Sequence, residues 1–370
     1  MVLNKLDEAK ELATLRIQID DIDRKIQTLI NQRAACAQRV ADVKQSAAEG
    51  EEVQYYRPER EAQVLRAIMD RNTGPLPAED MAKLFREIMS CCLALEKPMK
   101  VAFLGPEGTY THAAALKHFG HFVQAQPMAA IDEVFREVES GQANYGVVPV
   151  ENSTEGMVNH TLDSFINSRL FIAGEVKLRI HHHFLSATVC DDIKSVKRVY
   201  SHQQSLAQCR KWLDANCPQI ERVAVSSNAE AARLAKVENG TVAIAGDMAA
   251  ELYGLIKCVE NVEDQPDNTT RFLIIGSKIV PASGKDKTSI MVSVKNKPGA
   301  LYHLLEPFHK ENISLTRIET RPSSSGTWSY VFFIDFEGHI DNEKVQQVIR
   351  QVSPEVVEVK HLGSYPVGVL

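Results

Sequence analysis

The first third of the chain has a hydrophobic pattern that advances in alternating steps of three and four residues. Its apolar positions are Leu12, Leu15, Ile19, Ile22, Ile26, Leu29, Cys36, Val40 and Val43. This spacing predicts one long helix with an apolar seam, about 48 Å long at ~1.5 Å per residue. Two shorter helices cannot bury a seam of that length, so we expect the helix to pair with a second copy of the chain.

A positive charge interrupts this seam. Arg33 takes the seam position that follows Leu29, and Lys44 lies further along the same face of the helix. Burying a cation costs free energy unless an anion meets it. Two interpretations stay open. Either the chain's own carboxylates pair with these cations, or the cations form a pocket for a small polyanion inside a helical bundle.

The rest of residues 1–98 is also predicted to be helical. A polar break falls near residues 46–52, and a second helix with an apolar face begins around Pro58. The sequence Gly-Pro-Leu-Pro at 74–77 ends that helix, and a third helix follows over residues 78–96. The pattern therefore predicts an all-helical domain over residues 1–98.

From residue 100 the pattern changes to short strands that alternate with helices. The predicted strands are 101–104, 146–150, 198–200, 223–225 and 242–245. This alternation predicts an α/β domain over residues 100–278 with a mostly parallel sheet, either as one unit or as two lobes around a cleft. In such sheets ligands bind at the loops that follow the strand ends.

A linker over residues 281–287 leads into a third domain, residues 287–370. Its predicted strands are 289–294, 313–319, 330–336 and 356–362, with helices at 300–310 and 341–352 and a turn at 323–326. The resulting order βαββαβ is the ferredoxin-like plan.

Composition argues against several classes of protein. A net charge of −6 disfavours a general nucleic-acid surface. No apolar run is long enough for a membrane span, and the first residues lack the apolar core of a secretion signal. Seven cysteines without a C-x-x-C pair are typical of reduced thiols, so we expect a cytoplasmic protein.

Four short motifs follow one another behind the helical domain: GPEGTY at 105–110, VPVEN at 148–152, NTTRF at 268–272 and ETRP at 319–322. Together with the three-domain pattern, they resemble the bifunctional chorismate mutase/prephenate dehydratase family of phenylalanine biosynthesis. The resemblance covers nearly the whole chain. It implies an all-α chorismate mutase domain, a two-lobed α/β prephenate dehydratase domain and a ferredoxin-like ACT domain, with no cofactor and no metal.

The first implied reaction is the isomerisation of chorismate to prephenate. It is a pericyclic rearrangement, so the site must hold a flexible dianion and stabilise charge on the breaking ether oxygen. The resemblance implies that carboxylates are held, or the site ordered, by Arg33, Arg60 and an Arg16 supplied by the second chain. It also implies that Lys44 and Glu96 donate to the ether oxygen and that Glu61 accepts from the substrate hydroxyl.

Three positions in the predicted mutase domain differ from relatives. Glu96 stands where many relatives have glutamine, and a charged carboxylate would repel the developing negative charge. We therefore expect burial to raise the pKa of Glu96 and keep it protonated; the alternative is a solvated carboxylate at the helix end. Arg57 stands where the best-known relative has an aspartate that contacts the substrate, and Cys92 stands where it has a serine. Both are candidate substrate contacts, although Arg57 also fits a surface charge.

The second implied reaction removes carbon dioxide and water from prephenate and leaves phenylpyruvate. The ring hydroxyl is a poor leaving group and needs a proton donor, a role that the resemblance gives to Thr270. The implied substrate-binding residues are Asn152, Ser153, Thr154, Ser201, Gln208 and Arg271. From the sequence pattern alone, Arg271 is either a substrate clamp or part of a structural ion pair.

The resemblance also implies that the third domain binds phenylalanine, the end product, between paired ACT domains. The implied effector-binding residues are Gly299, Ala300, Leu301, Glu319, Thr320, Arg321 and Pro322. Backbone N–H groups at the Gly299 turn suit a ligand carboxylate. The pattern alone also fits an ordinary glycine turn and strand end.

Two other interpretations are weaker. The run His181-His182-His183 suggests a metal site, but consecutive strand residues point to alternate faces, so at most two converge. A helical segment before an α/β domain also describes a ligand-sensing transcription regulator. Residues 1–99, however, contain 15 Lys/Arg and 17 Asp/Glu, and the first helix is too long for a helix-turn-helix motif.

Overall fold

The computed structural model describes residues 5–47, 54–190, 193, 196–294, 297–322 and 330–370, with side chains from residue 8 onward. Three helices form the first domain: α1 Lys5–Ala47, α2 Pro58–Arg71 and α3 Ala78–Glu96. Proline in the first turn and two glutamates beside it favour the start of α2, because proline lacks a donor and anions complement the helix dipole. The predicted start of α2 and the predicted bounds of α3 are confirmed. Most of the predicted break at 46–52 lies outside the described residues.

One lobe of the middle domain is a six-stranded sheet. Its strands are β1 Lys100–Leu104, β2 Gln124–Met128, β3 Tyr145–Asn152, β4 Gly156–Met157, β5 Phe171–Arg179 and β11 Thr269–Gly276. The order is β2-β1-β3-β11-β5, with β4 paired to β3. Helices α4 Tyr110–Phe119, α5 Ile131–Glu139 and α6 Asn159–Asn167 accompany this sheet.

The chain crosses to a second lobe after β5 and returns before β11. The second sheet contains β6 His183–Ser186, β7 Arg198–His202, β8 Glu221–Val225, β9 Thr241–Ala245 and β10 Ile256–Val259, in the order β10-β6-β9-β7-β8. Its helices are α7 Gln203–Gln208, α8 Arg210–Asn216, α9 Asn228–Val237 and α10 Asp247–Tyr253. The two lobes predicted around a cleft are thus present.

The prediction of a mostly parallel sheet was wrong, because both sheets are mixed. In the first lobe β1 pairs in parallel with β2 and β3, whereas β11 pairs antiparallel with β3 and β5. The reason is the double crossing. Strand β11 enters from the second lobe at the edge where β3 and β5 end, so it must run against both. The ends of three strands therefore meet at the cleft.

The third domain has the predicted order: β12 Asp286–Val294, α11 Ala300–Lys310, β13 Leu315–Pro322, β14 Tyr330–Glu337, α12 Glu343–Val352 and β15 Glu358–Pro366. Its sheet, β13-β14-β12-β15, is antiparallel throughout. One face packs under its own helices, and the other joins the core of the first lobe through Met291, Phe333 and Tyr365. Gly363 allows β15 to approach the backbone of Ile172 in β5, where a Cβ atom would collide. The predicted turn at 323–326 lies outside the described residues.

Candidate active sites and effector-binding region

The helical domain brings Arg33, Lys44 and Glu96 together. Arg33 and Lys44 are half-buried on α1, and both act electrostatically on the carboxyl group of Glu96, the last residue of α3. The Lys44 ammonium also donates to the backbone carbonyl oxygens of Gln54 at 3.3 Å and Tyr55 at 3.5 Å. The cationic seam predicted from the sequence thus has an acid beside it.

The environment of Glu96 favours its protonated form. Burial raises the pKa of this carboxyl group, and the charges of Lys44 and Arg33 oppose the rise without cancelling it. The direction agrees with the expectation for a residue that must donate a hydrogen bond. Among the described residues, no carboxylate oxygen lies within ion-pair distance, 4.0 Å, of either cation. The cations are therefore not neutralised by a close ion pair in this part of the chain.

The apolar seam of α1 is open on one side. Leu15 is 47% exposed, Leu29 62% and Val43 68%, and among the side chains of this helix that the structure describes only Ala41 is buried. Arg16 is exposed on the same helix. A helix of this kind leaves a large apolar surface in water unless another chain covers it.

Two predicted mutase residues on α2 lie elsewhere. Glu61 turns toward the middle domain, and Arg86 of α3 donates to its carboxylate at 3.3 Å. Burial raises the pKa of Glu61. This position does not support the predicted role of Glu61 as acceptor for the substrate hydroxyl. Arg60 is exposed, so a single chain does not enclose it in a pocket.

The two positions that differ from relatives have different environments. Arg57 is 53% exposed and its Nε donates to Glu59 at 2.6 Å, which fits the surface-charge alternative better than a substrate contact. Cys92 is buried on α3, one turn before Glu96.

A cleft of about 240 Å³ separates the two lobes of the middle domain. It is lined by Thr109, Tyr110, Asn152, Ile180, His182, His202, Gln204, Ser205, Gln208, Ser226, Ser227, Asn228 and Thr270. Among the predicted residues, Asn152, Gln208 and Thr270 are therefore brought together. Polar side chains dominate the lining, as a charged substrate requires.

Asn152 fixes the direction of the Thr270 hydroxyl. The amide nitrogen of Asn152 donates to Thr270 Oγ1 at 2.7 Å. The amide oxygen of Asn152 accepts from Thr154 N, Thr154 Oγ1 and Glu155 N at 3.0, 2.6 and 3.1 Å, so the amide cannot flip without losing these bonds. Because Thr270 Oγ1 accepts from Asn152, its own hydrogen remains available for donation.

Gln208 reaches across the cleft from the second lobe. Its amide nitrogen donates to Thr154 Oγ1 and to a Glu155 carboxylate oxygen, each at 3.3 Å. Ser153 lies beside this contact but serves the sheet. Its hydroxyl accepts from the backbone N–H of Thr269 at 2.9 Å. Thr154 and Gln208 thus join the lobes, while Ser153 holds the start of β11.

Ser201 does not line the cleft. Its side chain is fully buried at the end of β7, where its hydroxyl lies 2.7 Å from the carbonyl oxygen of Ile244 and 3.0 Å from Asn228 Oδ1. Asn228 in turn donates to Ser205 Oγ at 2.9 Å, and both of these residues do line the cleft. The predicted substrate contact is therefore corrected: Ser201 supports Asn228, which the sequence pattern did not single out.

A tyrosine and a histidine complete the floor of the cleft. The hydroxyl of Tyr110 lies 2.8 Å from His182 Nδ1, and His182 Nε2 lies 2.9 Å from the Gln208 amide oxygen. Burial lowers the pKa of His182 and raises that of Tyr110, so both side chains are neutral near pH 7. Tyr110 follows the GPEGT motif, which was the available signal. His182 was hidden in a run of three histidines.

Arg271 follows Thr270 but faces away from the cleft. Its guanidinium donates to Glu175 at 2.8 Å, Asp335 at 2.7 Å and the Tyr365 hydroxyl at 2.9 Å. It is only 7% exposed. Of the two alternatives, the structural ion pair is the one observed, and the assignment as a substrate clamp was wrong.

The effector motif in the third domain is divided between two faces. The strand register places the end of β12, the start of β14 and the end of β13 side by side, on the same side of the sheet where strands end. Gly299, with φ +79°, follows β12 there and precedes α11, with Ala300 and Leu301 in its first turn. On β13, Thr320 and Pro322 are exposed while Glu319 and Arg321 are half-buried. Arg321 binds Asp163 of α6 through Nε and Nη2 of its guanidinium group, at 2.8 to 3.0 Å.

The three histidines are used in separate ways. His181 bonds Glu263 at 2.8 Å, His182 lies in the cleft, and His183 lies 3.2 Å from Asp247. Within the described ranges, no three His, Cys, Asp or Glu side chains form a group suited to a metal ion. No helix in the same ranges is long and apolar enough to cross a membrane.

Comparisons with known proteins match all three domains. The chorismate mutase type II family matches residues 15–97, the prephenate dehydratase family residues 101–279 and the ACT domain family residues 288–354. A bifunctional chorismate mutase/prephenate dehydratase from Stutzerimonas stutzeri is 61% identical over 99% of this chain and 100% of its own length. Its counterpart from Pseudomonas aeruginosa is 62% identical over 97% and 99%.

The chain belongs to the bifunctional chorismate mutase/prephenate dehydratase family. It is an enzyme with two activities, a mutase and a dehydratase, and the transcription-regulator alternative is not favoured. A solved structure, prephenate dehydratase in complex with L-Phe from Arthrobacter aurescens, matches with a TM-score of 0.67 and 30% identity. That match covers 72% of this chain and 90% of the other.

Proposed function

We propose that the three domains, residues 1–98, 100–278 and 287–370, perform two consecutive reactions and their feedback control. Chorismate is isomerised to prephenate in the helical domain, and prephenate is converted to phenylpyruvate in the cleft of the middle domain. The observation that carries the second assignment is the hydrogen bond from Asn152 to Thr270. This bond leaves the hydroxyl hydrogen of Thr270 available for donation to a bound molecule.

In the mutase reaction the cluster on α1 and α3 binds and polarises the substrate. Arg33 and Arg60 hold carboxylates, together with an Arg16 from a second chain, and this fixes the compact conformer that rearranges. Lys44 and protonated Glu96 donate to the ether oxygen as it gains negative charge. Cys92, one turn before Glu96, lines the same pocket.

A homodimer through α1 completes this site. The open apolar seam supplies the driving force, because about 25 cal/mol is gained for each Å² of apolar surface removed from water. The position of Arg16 explains why the mutase site would need a second chain. It lies near the start of α1, whereas Arg33 and Lys44 lie toward its end, so two antiparallel copies bring one chain's Arg16 toward the other's cations.

In the dehydratase reaction the cleft aromatises the prephenate ring. The bond to the ring carboxylate breaks and its electron pair enters the ring as carbon dioxide leaves. The bond to the ring hydroxyl breaks at the far side, and Thr270 gives its hydroxyl proton to the departing oxygen, which leaves as water; a proton from solvent then restores Thr270. Asn152 and Gln208 orient the substrate, with Thr154 and Ser153 holding the loop between them.

The ACT domain binds L-phenylalanine and inhibits the dehydratase. The turn at Gly299 offers backbone N–H groups to the ligand carboxylate, with Ala300 and Leu301 behind it. The exposed face of β13, with Thr320 and Pro322, lies at the same sheet edge, and paired ACT domains enclose the ligand. Glu319 and Arg321 lie on the opposite face of β13 and support the effector site from there. The composition further supports a cytoplasmic location.

The full chain incubated with chorismate tests the proposal. Prephenate and then phenylpyruvate are expected to accumulate, and added phenylalanine is expected to slow the second step. Gly299→Val and Thr320→Ala are expected to relieve that inhibition, the first because valine disfavours a φ of +79°. Failure to convert chorismate contradicts the mutase assignment. Full inhibition of both variants removes these residues from the effector site.

A further inference from the structure

Two strands carry residues of the dehydratase cleft on one face and ionic residues on the other. Thr270 of β11 pairs with Asn152 of β3, and the adjacent residues Arg271 and Glu151 pair with each other. Successive side chains on a strand point to opposite faces. The cleft residues and this arginine–glutamate pair are therefore attached to the same short piece of backbone.

The Arg271 side chain enters a buried network that belongs mostly to the ACT domain. Asp335 Oδ2 of β14 accepts from Arg271 at 2.7 Å, and Asp335 Oδ1 accepts from Ser289 Oγ of β12 at 2.6 Å. The Tyr365 hydroxyl of β15 accepts from Arg271 and lies 2.9 Å from Ser289. Every charge in this group is paired, as its burial requires.

A second arginine joins the network to β3. Arg317 Nη1 lies 3.8 Å from Asp335 Oδ2 and 3.6 Å from a carboxylate oxygen of Glu151. Arg317 stands on β13, two residues before the effector motif that begins at Glu319. Asp335 of the ACT sheet thus contacts Arg271 of β11 and Arg317 of β13, the strand proposed to bind the effector. Arg317 in turn lies near Glu151 of β3, so both cleft strands are joined to β13.

The backbone at Arg271 is irregular. The pairing of β11 with β3 shifts register between Arg271 and Phe272, where Pro149 rather than Val150 becomes the next partner. At such a bulge the ladder is locally interrupted and the strand bends. Thr270 and Arg271 pair regularly with β5 on the other side of β11, so on the β3 side the position of Thr270 depends more on side-chain contacts, and Arg271 makes such contacts beside it.

We propose that Arg271 is a positioning residue for the dehydratase reaction and that it acts by fastening β11 to Asp335 of the ACT domain. Arg271 does not touch the substrate. It determines the position of Thr270. A shift of β13 changes that position through Arg317 and Asp335. The inference rests on the proposed dehydratase function and adds the side chains by which the ACT sheet controls it.

The test is the variant Asp335→Asn in the full chain, with prephenate as substrate. The substitution conserves shape, lies outside the cleft and removes the negative charge that Arg271 and Arg317 share, while Glu175 still contacts Arg271 and Glu151 still contacts Arg317. The dehydratase kcat is expected to fall about 10- to 100-fold, as for a small misplacement of a catalytic group, with KM within about twofold. Arg271→Met is expected to match it, and Arg271→Lys to recover part of the loss. Mutase activity on chorismate, measured in the same preparation, is expected to stay unchanged.

Lys360→Met is the matched control. Lys360 of β15 also ties the ACT domain to the first lobe, through hydrogen bonds to the carbonyl oxygens of Phe165, Ile166 and Ser168 at 2.7, 3.0 and 2.6 Å. That contact reaches the end of α6 and not β11. Losing it loosens the same interface without releasing Thr270, so kcat is expected to remain within about twofold of the wild type.

Three results would overturn the inference. One is a wild-type kcat in Asp335→Asn, another is an equal loss in Lys360→Met, and the third is a rise in KM with unchanged kcat. If Asp335→Asn does not fold, Arg317→Gln takes its place with the same expected split between kcat and KM. A wild-type chain that does not convert prephenate instead contradicts the proposed function itself.

Discussion

The proposed mutase cluster and the proposed dehydratase cleft both bind a small anion, but they are built in different ways. In the cleft Asn152, Thr270 and Gln208 are each held by hydrogen bonds within the same chain. In the helical domain Arg33 and Lys44 lie beside an apolar seam that one chain leaves exposed. The residues that line the cleft come from one chain, whereas the proposed mutase site includes Arg16 of a second copy. Their sensitivity to mutation should differ accordingly.

Thr270→Ala is expected to have the largest effect. It removes the only proposed donor to the leaving hydroxyl, so the dehydratase kcat should fall by about 10²- to 10⁴-fold. Mutase activity should be unchanged because the two sites share no residue. The measurement is phenylpyruvate formation from prephenate, with Thr270→Ser as the control that keeps the hydroxyl. An alanine variant with nearly normal kcat would show that the donor lies elsewhere.

The seam variant Ile22→Asp is expected to act on the other site. A carboxylate in the middle of the apolar seam opposes pairing of α1, and separated chains lose the Arg16 of the second copy. We expect a smaller particle in sedimentation and a mutase activity reduced by about 10- to 100-fold. The dehydratase kcat should stay near wild type. Asp23→Asn, a change on a charged residue outside the seam, serves as the control. A dimeric variant with normal mutase activity contradicts the two-chain site.

The helical domain could be predicted from the sequence more completely than the middle domain, for a physical reason. Helix ends follow local rules, so the proline at the start of α2 and the Gly-Pro break after it located both elements. Strand direction depends on where the chain re-enters a sheet, and a pattern of short strands does not reveal the antiparallel course of β11. Arg271 was undecidable because its partner Asp335 lies 64 residues away in sequence.

The contrast is equally clear for individual site residues. The motif position of Thr270 was enough to find the cleft. Ser201 lies next to cleft residues in sequence but beneath them in space, and Asn228 carries its contact instead. Glu61 shares α2 with Arg60, yet burial against the middle domain pairs it with Arg86. A motif identifies a segment, whereas packing decides which of its side chains reaches the substrate.

Glu96→Gln tests the mutase site by its pH dependence. Burial raises the pKa of Glu96, so the carboxyl group remains protonated to a higher pH than an ordinary glutamate. Because the proton is needed for donation, mutase activity should fall as pH rises through that pKa, and raising the pH should never increase it. Glutamine donates at every pH, so the variant should show a flat profile in this range. The dehydratase profile of the same variant is the internal control, and an unaltered mutase profile contradicts the role of Glu96.

The smallest expected effect concerns the link between the ACT domain and the cleft. Arg321 binds Asp163 on α6, a partly exposed ion pair worth about 0.2–1 kcal/mol. If phenylalanine binding must move β13, Asp163→Asn lowers the cost of that movement. Half-maximal inhibition should then occur at a phenylalanine concentration lower by at most about fivefold. Mutase activity should not change. Weaker inhibition in this variant would mean that the ion pair stabilises the inhibited arrangement, and that β13 is already in its effector-bound position in this structure.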